Sequence, residues 1–184
     1  MSGLFKGDPE LRELLGVARR AIEARLAGRR FAEEPKDGWR GEPRGAFVTL
    51  WTRPAHELRG CVGYIEPVYS LVETVARAAV SAAVDDGRFP PVSGDELPGL
   101  SIDVSILSRL EPIRPEEVVV GEHGLLLRHR GRSGLLLPQV PIEHGWDRET
   151  FLDHTCLKAG LQPGAWREPG ARLLGFTAVV VGED

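Results

Sequence analysis

The 184-residue chain carries 27 acidic and 23 basic side chains, a formal charge of -4, which argues against a general nucleic-acid binder, since such a surface needs a basic surplus. Its 42% hydrophobic and 27% charged content excludes wholesale disorder and is enough to bury a sizeable core. Two cysteines, Cys61 and Cys156, are too few for a disulfide framework.

Asp8-Pro9-Glu10 reads as the start of a helix, with an N-cap, a first-turn proline and an acid at the positive end. Leu11, Leu14, Leu15, Ala18, Ile22 and Leu26 recur at helical spacing, and Gly28 is the stop. Two basic clusters, Arg19-Arg20 with Arg25, Arg29 and Arg30, and Arg128-His129-Arg130 with Arg132, read as solvated faces rather than phosphate sites. Residues 33–44, EEPKDGWRGEPR, read as a loop. Ala46–Trp51 and Leu58–Ile65 are predicted strands, joined closely enough to pair as a hairpin. A second helix is predicted from Pro67 to Gly87. Ser70 and Glu73 form its capping box, and Val68, Leu71, Val72, Val75, Ala79 and Ala82 form its apolar stripe. Arg88-Phe89-Pro90-Pro91 is a stiff connector. Leu100–Leu107 alternates strictly, with Ile102, Val104 and Ile106 on one face and Ser101, Asp103 and Ser105 on the other, the pattern of a half-buried strand.

From Glu117 the runs shorten. Residues 118–120, 125–129 and 135–137 read as a three-stranded meander. Asp147 caps a third helix that runs to about Ala159, with Gly160 as its stop, and Leu173–Val181 is a last strand. No stretch approaches the roughly 18 apolar residues of a membrane helix. MSGLFKGDPEL lacks the apolar centre of a signal peptide. The expected location is a reducing cytoplasm, and the expected class is α+β, with three main helices and about seven strands.

The stretch ELRGCVGYIEP carries the most suggestive chemistry. Strand alternation puts Arg59 and Cys61 on one face, and a cation beside a thiol favours the nucleophilic thiolate. Gly60 and Gly63 suggest an open surface at the sulfur. The bland alternative is a small buried hydrophobe, the usual role of a free cysteine. His56 or His123 would have to reach Cys61 to act as its base, which spacing does not decide. Asp103, an acid in mid-strand, is either solvent-facing or paired, read first as a structural ion pair with Arg59 or Arg88 and second as a catalytic or ligand-binding carboxylate. Cys156 falls on the apolar side of its helix, as a core residue. No zinc spacing, phosphate loop or serine-hydrolase motif is present, and the sequence names no cofactor.

Seven elements in order resemble the AMMECR domain family, whose prokaryotic members include the AmmeMemoRadiSam system protein A: Leu58-Arg59-Gly60-Cys61-Val62-Gly63, Asp86-Gly87-Arg88-Phe89-Pro90-Pro91, Glu96-Leu97-Pro98, Val104-Ser105-Ile106-Leu107, Gly121-Glu122-His123-Gly124-Leu125, Leu137-Pro138-Gln139-Val140 with Gly145-Trp146-Asp147, and Thr155-Cys156-Leu157-Lys158-Ala159-Gly160-Leu161. The resemblance covers nearly the whole chain from about Leu11 onward. Val62 replaces an expected isoleucine, and Tyr64 stands where some members carry threonine.

The resemblance implies a single domain of two subdomains. The larger is a β-sheet packed with helices and built from N- and C-terminal parts, 1–115 and 145–184. The smaller is the β-meander, 116–144. It also implies a functional groove between them, lined by the Arg-Gly-Cys segment, with Leu58, Gly60, Gly63, Arg88, Asp103 and His123 as its expected residues. The implied role is a binding or accessory one beside a Memo-like protein and a radical-SAM protein, with a small molecule of unspecified kind. The alternative is an enzyme or redox factor with Cys61 as nucleophile and Arg59 as its assistant. Nucleic-acid binding is a weaker third.

Overall fold

The computed structural model describes residues 9–32 and 38–183. Two compact units divide the chain, one from Met1–Leu107 and Val179–Asp184, the other from Ser108–Ala178. The expected Asp8 cap and residues 33–37 of the 33–44 loop lie outside the described residues, and the rest of that loop opens with a 3-10 turn, Gly38–Arg40.

In the first unit, β1 (Ala46–Thr52), β2 (Leu58–Tyr64), β3 (Leu100–Leu107) and β8 (Ala178–Gly182) form a sheet in the order β2-β1-β3-β8. The predicted hairpin is present, β1 pairing antiparallel with β2 and, on its other side, with β3. One face takes α1 (Pro9–Leu26) and α2 (Leu71–Val84). Val48, Leu50, Ile102, Val104 and Ile106 pack there with Leu14, Ile22, Leu71 and Val75 in one cluster, each such burial stabilising by about 1.5–3 kcal/mol. Helix α1 stops at Gly28, which takes a left-handed φ of 67°. The Gly28 N–H donates to the Arg25 carbonyl and the Arg29 N–H to the Ala24 carbonyl, a Schellman closure. Helix α2 begins later than predicted. Ser70 is its N-cap, its hydroxyl accepting the Glu73 N–H at 3.3 Å, so Val68 precedes the helix and is exposed. Strand β3 is buried on both faces and not half-buried, since Ser101 and Ser105 are 6% exposed and only Asp103 is intermediate.

The second unit holds a sheet in the order β4-β7-β5-β6, from β4 (Glu111–Pro112), β5 (Gly124–His129), β6 (Arg132–Leu136) and β7 (Arg172–Phe176), all antiparallel. Residues 118–120 are not a strand. Val118 is buried against Leu125 and Phe151 from a turn, and β7 supplies the partner β5 needs. The predicted last strand is two strands in two sheets. The break at Thr177 is fixed by the Ser108 N–H donating to the Thr177 carbonyl and the Thr177 N–H donating to the Ser108 hydroxyl. This unit is also larger than the expected 116–144 meander. Helix α4 (Arg148–Lys158), capped by Asp147 as predicted, buries Phe151, Leu152 and Cys156 against β5, so it belongs with that sheet. A further short helix, α3 (Gln139–Glu143), went unpredicted because its five residues contain a proline. Among the described residues the count is four helices and eight strands, and no helix is long and apolar enough to cross a membrane.

Candidate functional site around Cys61

Cross-strand register builds this site. Thr49 is the Cα partner of Cys61 on one side and of Asp103 on the other. The side chains of directly opposed residues share a face, so Cys61, Thr49 and Asp103 form a polar row across three strands, on the face opposite α1 and α2. The Thr49 hydroxyl donates to Cys61 Sγ at 3.3 Å. Trp51, on the same face, donates its indole N–H to Asp103 Oδ2 at 2.8 Å. His56 stacks on Trp51 with ring centroids 4.6 Å apart. Neither Arg59 nor Arg88 pairs with Asp103, which corrects the expected ion pair. Each arginine already has a nearer carboxylate.

Arg88 pairs with Asp86, two residues before it, through Nε at 2.9 Å and Nη2 at 2.7 Å. This pair serves the backbone of Cys61. The Cys61 N–H donates to Asp86 Oδ2 at 2.9 Å, and Arg88 Nη2 donates to the Cys61 carbonyl at 3.3 Å. Strand β2 lies at the sheet edge, where outward N–H and C=O groups lack a neighbouring strand. The Asp86-Gly87-Arg88 segment takes that strand's place at Cys61. Hydrogen bonding to the Arg88 guanidinium holds the Asp86 carboxyl far below the usual carboxylate range. Burial opposes this shift, and the Cys61 N–H adds to it.

Arg59 does not accompany Cys61. The β1–β2 register slips between Leu50 and Trp51, which face Gly60 and Leu58, so Arg59 is the extra residue of a β-bulge. A bulge breaks the alternation that would have aligned Arg59 with Cys61 and re-aims its side chain. The guanidinium instead binds Glu96, Nε to Oε1 at 2.5 Å and Nη2 to Oε2 at 3.1 Å, and donates to the Pro90 carbonyl at 2.9 Å. This bonding lowers the Glu96 carboxyl below its ordinary value. Leu58 faces Trp51 across the hairpin.

The glycines serve packing rather than access. A Cβ on Gly60 would run into the backbone carbonyl of Ala82, so Gly60 is where α2 touches the sheet, on the helix side. A Cβ on Gly63 would occupy the ring of Phe47. Cys61 itself is half-buried. His123 lies in the second unit, where its Nδ1 accepts the Val119 N–H at 3.0 Å. There too, Trp146 stacks with His144 and His154 at 4.7 and 3.8 Å. Cys156 is fully buried, as expected, and burial pushes its thiol up. Among the described residues no cluster of three metal-ligating side chains occurs. Sequence reasoning missed Thr49, Trp51 and Glu96. The hairpin register contained the signal for Thr49, and nothing local announced Glu96.

The AMMECR1 family model matches residues 15–181, which include every element of this site. The chain belongs to the AMMECR1 family. Among similar members, protein TK0174 of Thermococcus kodakarensis is 45% identical over 93% of this chain and 89% of its own length. Protein MJ0810 of Methanocaldococcus jannaschii is 43% identical over 90% of this chain and 86% of its own. The crystal structure of protein PH0010 from Pyrococcus horikoshii superposes with a TM-score of 0.86 at 42% identity, covering 98% of this chain and 95% of that one. The fold seen in that crystal is therefore the fold of this chain.

Proposed function

We propose that the face of the first sheet around Cys61 is a binding surface, through which this AMMECR1 protein acts as an accessory component beside a Memo-like and a radical-SAM protein. One observation carries this reading. The side chains of the row around Cys61 are held by bonds to other protein groups: Thr49 to the sulfur, Asp86 and Arg88 to its backbone, Trp51 to Asp103. Among the described residues no imidazole or carboxylate is bonded to the sulfur, and a general base must stand about 2.6–3.2 Å from the proton it takes. A prearranged polar face suits recognition, because little side-chain freedom is lost on binding. The two thiols are unpaired with each other, as befits work in the cytoplasm.

A thiol-nucleophile reading has its own support. The Thr49 hydroxyl donates to the sulfur and the Arg88 guanidinium donates to the Cys61 carbonyl, so polar groups of the kind a nucleophile would use stand beside it. The deciding experiment measures binding of purified Memo-like and radical-SAM proteins to the wild type, Cys61→Ser and Thr49→Arg. The binding reading expects Cys61→Ser to stay within about threefold of wild type and Thr49→Arg to lose about tenfold or more. Wild-type binding unaffected by Thr49→Arg, or absent, would overturn it.

A further inference from the structure

A second site lies on the opposite side of the same sheet. The first unit carries an open cavity of about 570 Å³ between the end of α1, one side of α2 and Tyr64 at the end of β2. Tyr64 follows the parity of Gly60 and Val62, so it is on the helix side, whereas Cys61 is on the other. The two sites are separate.

Apolar side chains and several arginines line the cavity together. Val72, Ala76 and Val80 of α2 form one wall, and the rings of Phe31 and Tyr64 complete it. Arg25, Arg29, Arg30 and Arg77 line it too, together with the Glu73 carboxylate. Arg77 is held, bonded to Glu73 at 2.8 Å and lying 4.2 Å over the Tyr69 ring. Among the described residues, no carboxylate is bonded to Arg25, Arg29 or Arg30. The closure at Gly28 fixes where these three stand, since it turns the chain directly after Arg25 and ties the Arg29 N–H back to the helix.

Basic residues at a helix C-terminus complement its dipole, and that accounts for Arg25. It does not account for Arg29 and Arg30 beyond the helix, or for cations grouped in one hollow. Nor does composition, because the chain as a whole carries -4. The volume falls within the roughly 300–1,000 Å³ of small-molecule sites. Guanidinium forks match phosphate oxygens two at a time, and rings with aliphatic walls suit a flat apolar body.

We propose that this cavity binds a small phosphate ester of a flat heteroaromatic group, of the nucleoside monophosphate class, its phosphate held by Arg25, Arg29 and Arg30 and its ring seated between Phe31, Tyr64 and the α2 wall. The test is calorimetric titration of the full chain with AMP, with inorganic phosphate and with adenosine as separate probes. AMP is expected to bind saturably at sub-millimolar concentration, and each fragment alone at least about tenfold more weakly. Arg25→Ala with Arg29→Ala should weaken AMP about tenfold or more, the matching lysine pair less so, because the charge stays while the fork is lost. Ala76→Leu should weaken AMP while leaving phosphate binding unchanged, with unaltered circular dichroism as the folding check. No AMP binding, equal affinity for AMP and inorganic phosphate, or a double alanine variant that binds like wild type would each overturn the proposal.

Discussion

The Thr49 hydroxyl donates a hydrogen bond to Cys61 Sγ across 3.3 Å, from the strand directly beside it. The bond holds the sulfur in one orientation and occupies it. A hydrogen bond of ordinary net worth is about 0.5–1.5 kcal/mol, so Thr49→Val should change the rate of Cys61 alkylation at fixed neutral pH roughly 2- to 10-fold. Iodoacetamide labelling followed by mass spectrometry reads the rate, and Cys156, fully buried, serves as the internal comparison. An unchanged rate would mean that the hydroxyl does not act on the sulfur.

Asp86 ties the edge of β2 to Arg88, and its carboxyl is held well below the ordinary carboxylate value in the folded protein. Its unfolded value is about 3.9. The folded value is the lower one, so the stabilisation is fully present above the unfolded value and is lost as pH falls below it towards the folded value. Between about pH 6 and about pH 3 the urea midpoint of wild type should therefore fall further than that of Asp86→Asn. Other carboxylates titrate alike in both proteins and cancel in the comparison. Parallel midpoint curves would remove Asp86 from the linkage.

Gly60 lies against the Ala82 carbonyl with no room for a Cβ. Gly60→Ala must push α2 off the sheet, and overpacking of this kind costs about 1–3 kcal/mol. The change should appear as a lower denaturation midpoint with an unaltered slope, because the same surface is exposed on unfolding.

Arg59 and Glu96 form a partly buried ion pair, in which the arginine side chain is only 12% exposed. Glu96→Gln leaves a largely buried guanidinium without its carboxylate, for a loss of about 1–3 kcal/mol. Combining it with Arg59→Met should recover part of that loss, because the unpaired charge is then gone. A double-mutant cycle in urea measures the coupling. If the two single losses simply add, the bond contributes nothing.

Much of this architecture is written locally. The hairpin 46–64, the Asp147 cap and the Gly28 stop follow from alternation, capping chemistry and a left-handed glycine, and all three are present. Two features defeated local reading for one reason, namely that a strand's partner is not encoded in its own periodicity. Leu173–Val181 looks continuous, yet Thr177 divides it between two sheets. The run 118–120 looks like a strand, yet β7, some fifty residues onward, takes the place beside β5.

At the candidate site the same boundary applies. The sequence by itself placed Cys61 on a strand, Cys156 in a core and the chain in the α+β class, because alternation and helical spacing within each segment carry those readings. Only the tertiary structure decided what surrounds the sulfur. A one-residue bulge sends Arg59 to Glu96, the neighbouring strand brings Thr49 to the thiol, and a loop beyond α2 brings Asp86 and Arg88 to the strand edge. Each is a contact between segments separated along the chain, where a slip of one residue in register exchanges one face of a strand for the other.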